Sequence, residues 1–401
     1  MQSILVLSFI AVGLSSTSVA VPSELYSPLI PQKIQAVFNK SNTNPIRYPQ
    51  YTDTSGIWQY FSPNMWPSGF FPATLYGLNE RNALCPSTPA DGLGMVDWLE
   101  LGRSATGNLV PPEPENTADH DRAFLISFLE ELAINPGNTT AQAIIVDFAK
   151  ILADRFNPAV GCTRSSDGSD PFKVIIDVMM NLEPSIIAAN LTGNTTFYEM
   201  AVSHADTTMR NHIRDDGGSI WQMVEYNSTT GEVIGKRTIQ GYSDNSAWTR
   251  GQAWGIYGFA NMFKLTGEKK YLKTARRLAD YFINRLPGDG IVPWDFDAPL
   301  LPAPRAADSS AACIAAAALL LLARYEIDKA NMDNYTNSAI QVRYAITSLA
   351  WAPSWESLLS NATVNKPAGN ALTGSIYGDY YFIKVGNELI SRKLVECFGC
   401  H

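Results

Sequence analysis

Apolar residues recur at three- and four-residue spacing along most of the chain, the period of helices that bury one face. The pattern predicts helices over Asp121–Ala133, Ala141–Phe156, Val174–Ala189, Phe197–Ile213, Gly251–Leu265, Tyr271–Leu286, Ser310–Tyr325 and Asn337–Trp351. Strand-like alternation is scarce. Its best case is Ser219–Tyr226 with Val233–Ile239, a hairpin inserted between helices. Prolines and glycines fall between the helical segments, Pro184 excepted.

A weak internal repeat adds topology to this pattern. The segment from Leu191 aligns without gaps to the segment from Leu265, matching Ala201 with Ala275 and Ala205-Asp206 with Ala279-Asp280. A looser third copy begins near Asn135. A turn, a cap and a helix with alanines four apart suit tight helix–helix packing. Hairpins of this kind close into a ring in which alternate helices line an inner barrel. An all-α toroid of about twelve helices would take residues 21–401 as a single domain. The alternative, an open solenoid, would have shorter and more regular repeats.

Residues 1–20 read as a secretory signal peptide, with an apolar run from Ile4 to Leu14 and a Ser18-Val19-Ala20 cleavage site. The run is too short to span a bilayer. Seven N-x-S/T sequons, at Asn39, Asn138, Asn190, Asn194, Asn227, Asn334 and Asn361, agree with a secreted glycoprotein. Of the five cysteines, Cys313 lies in an apolar helix and reads as a buried thiol. Cys85 and Cys162 lie in loop-like sequence, free to pair with each other or with Cys397 and Cys400. The final CFGCH matches a haem-attachment pattern, but no sequence follows to wrap a porphyrin, so no cofactor is expected. The net charge of −8 argues against nucleic acid, and an anionic substrate would need a local basic clamp. No metal-ligand spacing occurs, and no membrane or obligate protein partner is inferred.

Candidate chemistry gathers in a few segments. Arg250 and Trp254 share a helix face in the stretch from Gln240 to Gly258, which also holds Trp248 and Tyr257. A guanidinium among aromatic rings suits a carboxylated sugar: the planar fork grips the carboxylate and the rings cover the pyranose face. A core helix with a surface arginine would show the same spacing. Asp177 stands in an apolar helix with Lys173 a turn before it and Asn181 a turn after. Desolvation favours the protonated form of a carboxylate, the state a general acid needs, although a buried ion pair with Lys173 is the plainer alternative. Asp121, after Asp119 and His120, stands where a helix is capped, and one of the two aspartates is left over for other work. His204 takes a position filled by Leu278 in the repeat, which favours a polar inner-face role over a satisfied core histidine. Asp295, Asp297 and Asp308 read as architectural, Asp308 as a helix cap.

These segments together, DNSAWTRGQAWGIYGF, LADYFINRLPGDGIVPWDFDAP, RAADSSAACIAAAALLLLA and YGDYYF, closely resemble the unsaturated glucuronyl hydrolases of glycoside hydrolase family 88. The resemblance implies a single (α/α)6 barrel that removes 4,5-unsaturated uronic acids from lyase-generated oligosaccharides by hydrating a vinyl ether. It implies Asp177 as general acid and base, in the IID-x-MMN-L motif, and Asp121 as the second catalytic carboxylate. It implies substrate contacts at His120, His204, Gln240, Arg250 and Trp254, with Trp66 as an aromatic lid. The chain departs from the family pattern at Ala123, at Pro72–Tyr76 and after YGDYYF, which bears on glycan preference more than on the reaction. A hydrolase of unsaturated rhamnogalacturonyl units and an inactive sugar-binding relative are the alternatives.

Overall fold

The computed structural model describes residues 21–85, 92–109, 121–165, 168, 171–299 and 306–397, and side chains of the helix beginning at Asp121 only from 125 onward. Among these residues are twelve α-helices. Six form an inner ring: α2 (Phe70–Leu84), α4 (Asp121–Ile134), α6 (Leu182–Thr192), α8 (Thr249–Thr266), α10 (Ser309–Arg324) and α12 (Ile376–Ser391). Each packs on the next, and α12 closes back onto α2. Their partners α1 (Leu29–Ser41), α3 (Trp98–Gly107), α5 (Thr139–Asp154), α7 (Thr195–Asn211), α9 (Lys269–Asn284) and α11 (Lys329–Ala350) run outside. This is the (α/α)6 barrel.

Composition separates the two rings. Helix α10 is apolar on every side and buried on almost every side, as an inner helix with neighbours all round must be. Its alanines let α8, α11 and α12 approach closely. Helix α9, by contrast, has one apolar stripe, from Tyr271 through Leu278 to Phe282, and keeps its lysines and arginines outward. The repeat corresponds to two inner-to-outer turns. Gly193 and Gly267 end α6 and α8 with φ of 71° and 73°, a left-handed cap that glycine adopts without strain.

One predicted helix is not continuous. The stretch predicted as Val174–Ala189 is a strand, β5, ending at Ile175, then a 3-10 helix over Ile176–Asn181, then α6. Pro184 explains the break. In a longer helix its ring would clash with the carbonyl four residues back and a hydrogen bond would be lost. In the first turn of α6 its missing N–H costs nothing.

The small strands follow the same order of appearance. β1 (Tyr48–Thr52) pairs with β2 (Trp58–Phe61), and β3 (Phe156–Asn157) with β4 (Cys162–Thr163). The predicted hairpin is present as β6 (Met223–Tyr226) and β7 (Val233–Arg237), and β6 also pairs antiparallel with β5 (Phe172–Ile175). Lys173 therefore faces Glu225 across the sheet and is not a helical turn from Asp177.

Cys85, at the end of α2, is bonded to Cys397 beyond α12, so a disulfide staples the two helices where the ring closes. Cys162 is a buried thiol, as is Cys313, and Cys400 lies outside the described residues. With Cys397 engaged, the haem pattern lacks one of its two thiols. Residues 1–20 also lie outside the described residues. No described helix is long and apolar enough to cross a membrane.

Candidate active site

The starts of α2, α8, α10 and α12 meet at one mouth: Trp66 before α2 lies beside Tyr377 of α12, and Arg250 of α8 reaches both Asp308 at the start of α10 and Tyr377. The first N–H groups of a helix carry roughly half a positive charge. The mouth is therefore locally favourable to an anion even though the protein carries a net charge of −8.

The 3-10 helix Ile176–Asn181 brings Asp177 to this mouth, and only 1% of the residue is exposed. A 3-10 run of six residues is unusually long. It lies against α8 because Gly251, Gly255 and Gly258 form a stripe on that helix. A Cβ on Gly251 would come within 3.3 Å of Ile176, and one on Gly258 within 2.6 Å of Met179. The stripe therefore sets how near Asp177 stands to Arg250 and Trp254.

Arg250 is buried, and its fork is engaged by the protein. Nη1 donates to Asp308 Oδ2 at 2.8 Å and to the Thr363 carbonyl at 2.5 Å, and Nη2 donates to the Val364 carbonyl at 2.6 Å. Its guanidinium lies over Trp248 at 4.5 Å and over Tyr377 at 5.6 Å. Burial disfavours its charge, but Tyr377, Asp308 and Asp177 together outweigh that and raise its pKa. Three of the five guanidinium N–H donors are thus engaged within the protein. These donors hold Asp308 and the 363–364 segment, and the charge of Arg250 also reaches Asp177.

Asp308 is the architectural residue expected. It caps α10 by accepting from the N–H groups of Ser310 and Ala311, besides pairing with Arg250. Asp295 is architectural too. Its carboxylate accepts from Tyr242 N–H and the Ser246 hydroxyl, and burial pushes its pKa up. Asp297 accepts from Ala247 N–H and from Arg285.

The aromatic residues separate into rim and floor. Trp66, in a 3-10 turn before α2, is half-buried and lies 5.6 Å from Tyr377. Trp254 is buried, edge-on to Tyr381 at 5.9 Å. Gln240 joins the site through a residue that the sequence reading passed over, Gln222. Gln222 Nε2 donates to Gln240 Oε1 at 3.0 Å, and Gln240 N–H donates to Gln222 Oε1 at 2.7 Å. The Gln222 carbonyl in turn accepts from Ile176 N–H at 2.8 Å, beside Asp177. The only signal in the sequence was its place just before β6.

The two remaining candidates differ. Asp121 is the first residue of α4, a helix that packs on the 3-10 turn carrying Trp66 and on the one carrying Asp177. Its side chain and all of His120 lie outside what is described. His204 is not brought to the mouth. It sits on outer helix α7 with no exposed surface, and Nδ1 accepts from Thr163 N–H at 3.1 Å. Burial, with His212 nearby, pushes its pKa down to about 3. The polar residue at the Leu278-equivalent position is a neutral histidine bonded to β4, which corrects the inner-face expectation. No group of His, Cys, Asp and Glu suited to a metal occurs among the described residues.

Comparison with known proteins places this geometry among sugar hydrolases. The chain matches no family model. An unsaturated glucuronyl hydrolase of Formosa agariphila is 34% identical over 344 residues, covering 82% of this chain and 80% of that protein. The solved structure of an unsaturated glucuronyl hydrolase specific for heparin superposes with a TM-score of 0.81 at 26% identity, covering 94% of this chain and 98% of that one. An Asp-to-Asn variant of such an enzyme, solved with dGlcA-Glc-Rha-Glc, gives a TM-score of 0.79 at 25% identity, covering 92% and 96%.

Proposed function

The chain belongs to the unsaturated glucuronyl hydrolases, which are glycoside hydrolases, and from that premise we propose that Asp177 is its general acid and base. The substrate is an oligosaccharide ending in a 4,5-unsaturated uronic acid, the product of a polysaccharide lyase. The observation that carries this reading is a buried carboxylate within electrostatic reach of the charged guanidinium at the start of α8.

In this reading protonated Asp177 delivers its proton to carbon 4 of the vinyl ether, and positive charge develops at carbon 5. The carboxylate left behind takes a proton from a water molecule that adds at carbon 5. The hemiketal so formed opens and releases the shortened saccharide. Asp121 is the second carboxylate. Gln240 and Trp254 border the ring, and Trp66 covers it. Helix N-termini and Arg250 together favour the substrate's anionic group through space.

The test follows the ultraviolet absorbance of the conjugated enoate in chondroitin-, hyaluronan-, heparin- and pectin-derived unsaturated disaccharides. Absorbance falls with the wild type and persists with Asp177→Asn. Full activity in that variant would reassign the acid. Turnover of the pectin-derived disaccharide alone would favour a rhamnogalacturonyl specificity.

Secretion belongs to the same proposal. The Cys85–Cys397 disulfide supports it, since such bonds persist in oxidising compartments. Protein collected from culture medium should begin near Val21 and lose mass on enzymatic deglycosylation. An intact Met1 on the exported protein would contradict the cleavage.

A further inference from the structure

Gln240 lies on a segment whose next exposed side chain has no role in the site described so far. Tyr242, two residues on, is 52% exposed. One exposed tyrosine needs no explanation by itself. Its anchoring and its place do. Tyr242 N–H donates to the buried carboxylate of Asp295 at 2.9 Å. The preceding Gly241 is packed so closely that a Cβ would collide with Thr238, Asp295 and Ser246. A large ring therefore stands in solvent on a backbone that cannot move freely.

That backbone is tied directly to the reacting centre. From Tyr242 the chain runs back to Gln240, across the reciprocal amide pair to Gln222, and through the Gln222 carbonyl to Ile176 N–H. Asp177 is the next residue. In the other direction Asp295 forms an antiparallel bridge with Trp248, whose ring lies against Arg250. Tyr242 is thus tied to the neighbour of Asp177 by one route and to Arg250 by the other. A rigid ring with two side-chain torsions offers contact area at little entropic cost, and its face matches the C–H face of a pyranose.

We propose that Tyr242 is a specificity-determining platform on which the saccharide unit linked to the unsaturated uronate stacks, on the leaving side of the bond that is lost. The proposal rests on the activity assigned above. It concerns how the substrate is held and not the proton transfer, so its signature is a change in KM with kcat preserved.

The experiment measures kcat and KM by enoate absorbance for wild type, Tyr242→Ala, Tyr242→Phe and Tyr242→Trp, on unsaturated di- and tetrasaccharides. Tyr242→Ala raises KM about five- to tenfold and leaves kcat within about twofold. Phe and Trp keep KM within about twofold of wild type, because the ring and not the hydroxyl makes the contact. The side chain is half in solvent, so the thermal midpoint of all three variants stays near that of wild type. An unchanged KM in the Ala variant overturns the proposal, as does a loss confined to kcat. If the wild type consumes none of the substrates, the activity itself and this inference fall together. An active wild type with an indifferent Ala variant removes only the platform.

Discussion

The two ends of the barrel are built from the same six helices and handle charge in opposite ways. At the C-terminal end of the ring a cavity of about 290 Å³ is lined by Glu130, Glu183 and Glu388 together with Lys264, Arg324 and Lys384. Each acid there is paired with a base: Lys384–Glu130 at 3.2 Å, Lys264–Glu183 at 3.4 Å and Arg324–Glu388 at 2.7 Å. At the N-terminal end Asp177 shares the mouth with a guanidinium whose fork closes on Asp308 and two carbonyls. The base neutralises itself, whereas the mouth keeps a field. A cavity with its charges paired side by side is a structural plug, so the presence of a cavity is by itself no guide to where chemistry occurs.

The sharpest way to break this comparison is at Asp177. Asp177→Asn keeps the shape of the site and removes the transferable proton, so kcat/KM falls about a thousandfold or more while the unfolding midpoint changes little. Retention of a tenth of the activity would make the mouth no more catalytic than the base. Next comes Arg250→Met, which strands the Asp308 carboxylate in the interior. Equilibrium denaturation should show a loss of about 3–5 kcal/mol, and a loss below about 1 kcal/mol would mean that the pair is not desolvated.

The outer wall behind the mouth responds to acid. His204 and His212 are buried with pKa values pushed down by burial to about 3 and about 4. Below pH 6.5 the unfolded chain binds protons that the folded protein refuses, so stability falls as pH drops from 6.5 toward these values. At pH 5 the expected cost is about 2 kcal/mol for each histidine. His204→Gln should flatten part of that slope in denaturant titrations repeated at several pH values. An unchanged slope would mean that His204 is protonated in the fold, and open to the mouth after all. The smallest effect is at the base. Lys384→Met breaks a half-buried pair and should cost no more than about 1 kcal/mol, with kcat unchanged. A kcat falling in step with Asp177→Asn would couple the two ends.

Much of the architecture was legible because helix periodicity and local capping are written in adjacent residues. The eight predicted helices correspond to helices or, at Val174–Ala189, to a helix with a strand and a 3-10 turn ahead of it. Helices α1, α2, α3 and α12 went unpredicted. α2 and α12 are apolar round most of their circumference, since inner helices have neighbours on all sides, and so lack a clear one-sided stripe. The cap at Asp308 and the supports at Asp295 and Asp297 were readable from residue type and position. The break before Asp177 was not, although Pro184 marked it.

At the site, chemistry was easier to read than partnership. Asp177 drew notice as a carboxylate amid Ile, Val and Met, and it does lie at the mouth. Arg250 drew notice as a guanidinium among aromatic rings and His204 as a polar residue where the repeat has Leu278; the fold gives Arg250 partners on distant segments and buries His204. The partners of Arg250 lie 58, 113 and 114 residues away in sequence. Gln222 went unseen because its meaning is a contact with Gln240 and Ile176, across a sheet that exists only after folding.

Taken alone, the chain determined a ring of helical hairpins and the residue types able to handle an unsaturated uronate, because periodicity and side-chain chemistry are local properties. Tertiary structure decided which groups each charge meets. It gave Arg250 to Asp308, buried His204 against β4, and set Asp177 against the glycine stripe of α8. A charge's role depends on its distance to groups far along the chain and on the water excluded between them, and neither exists until the ring has closed.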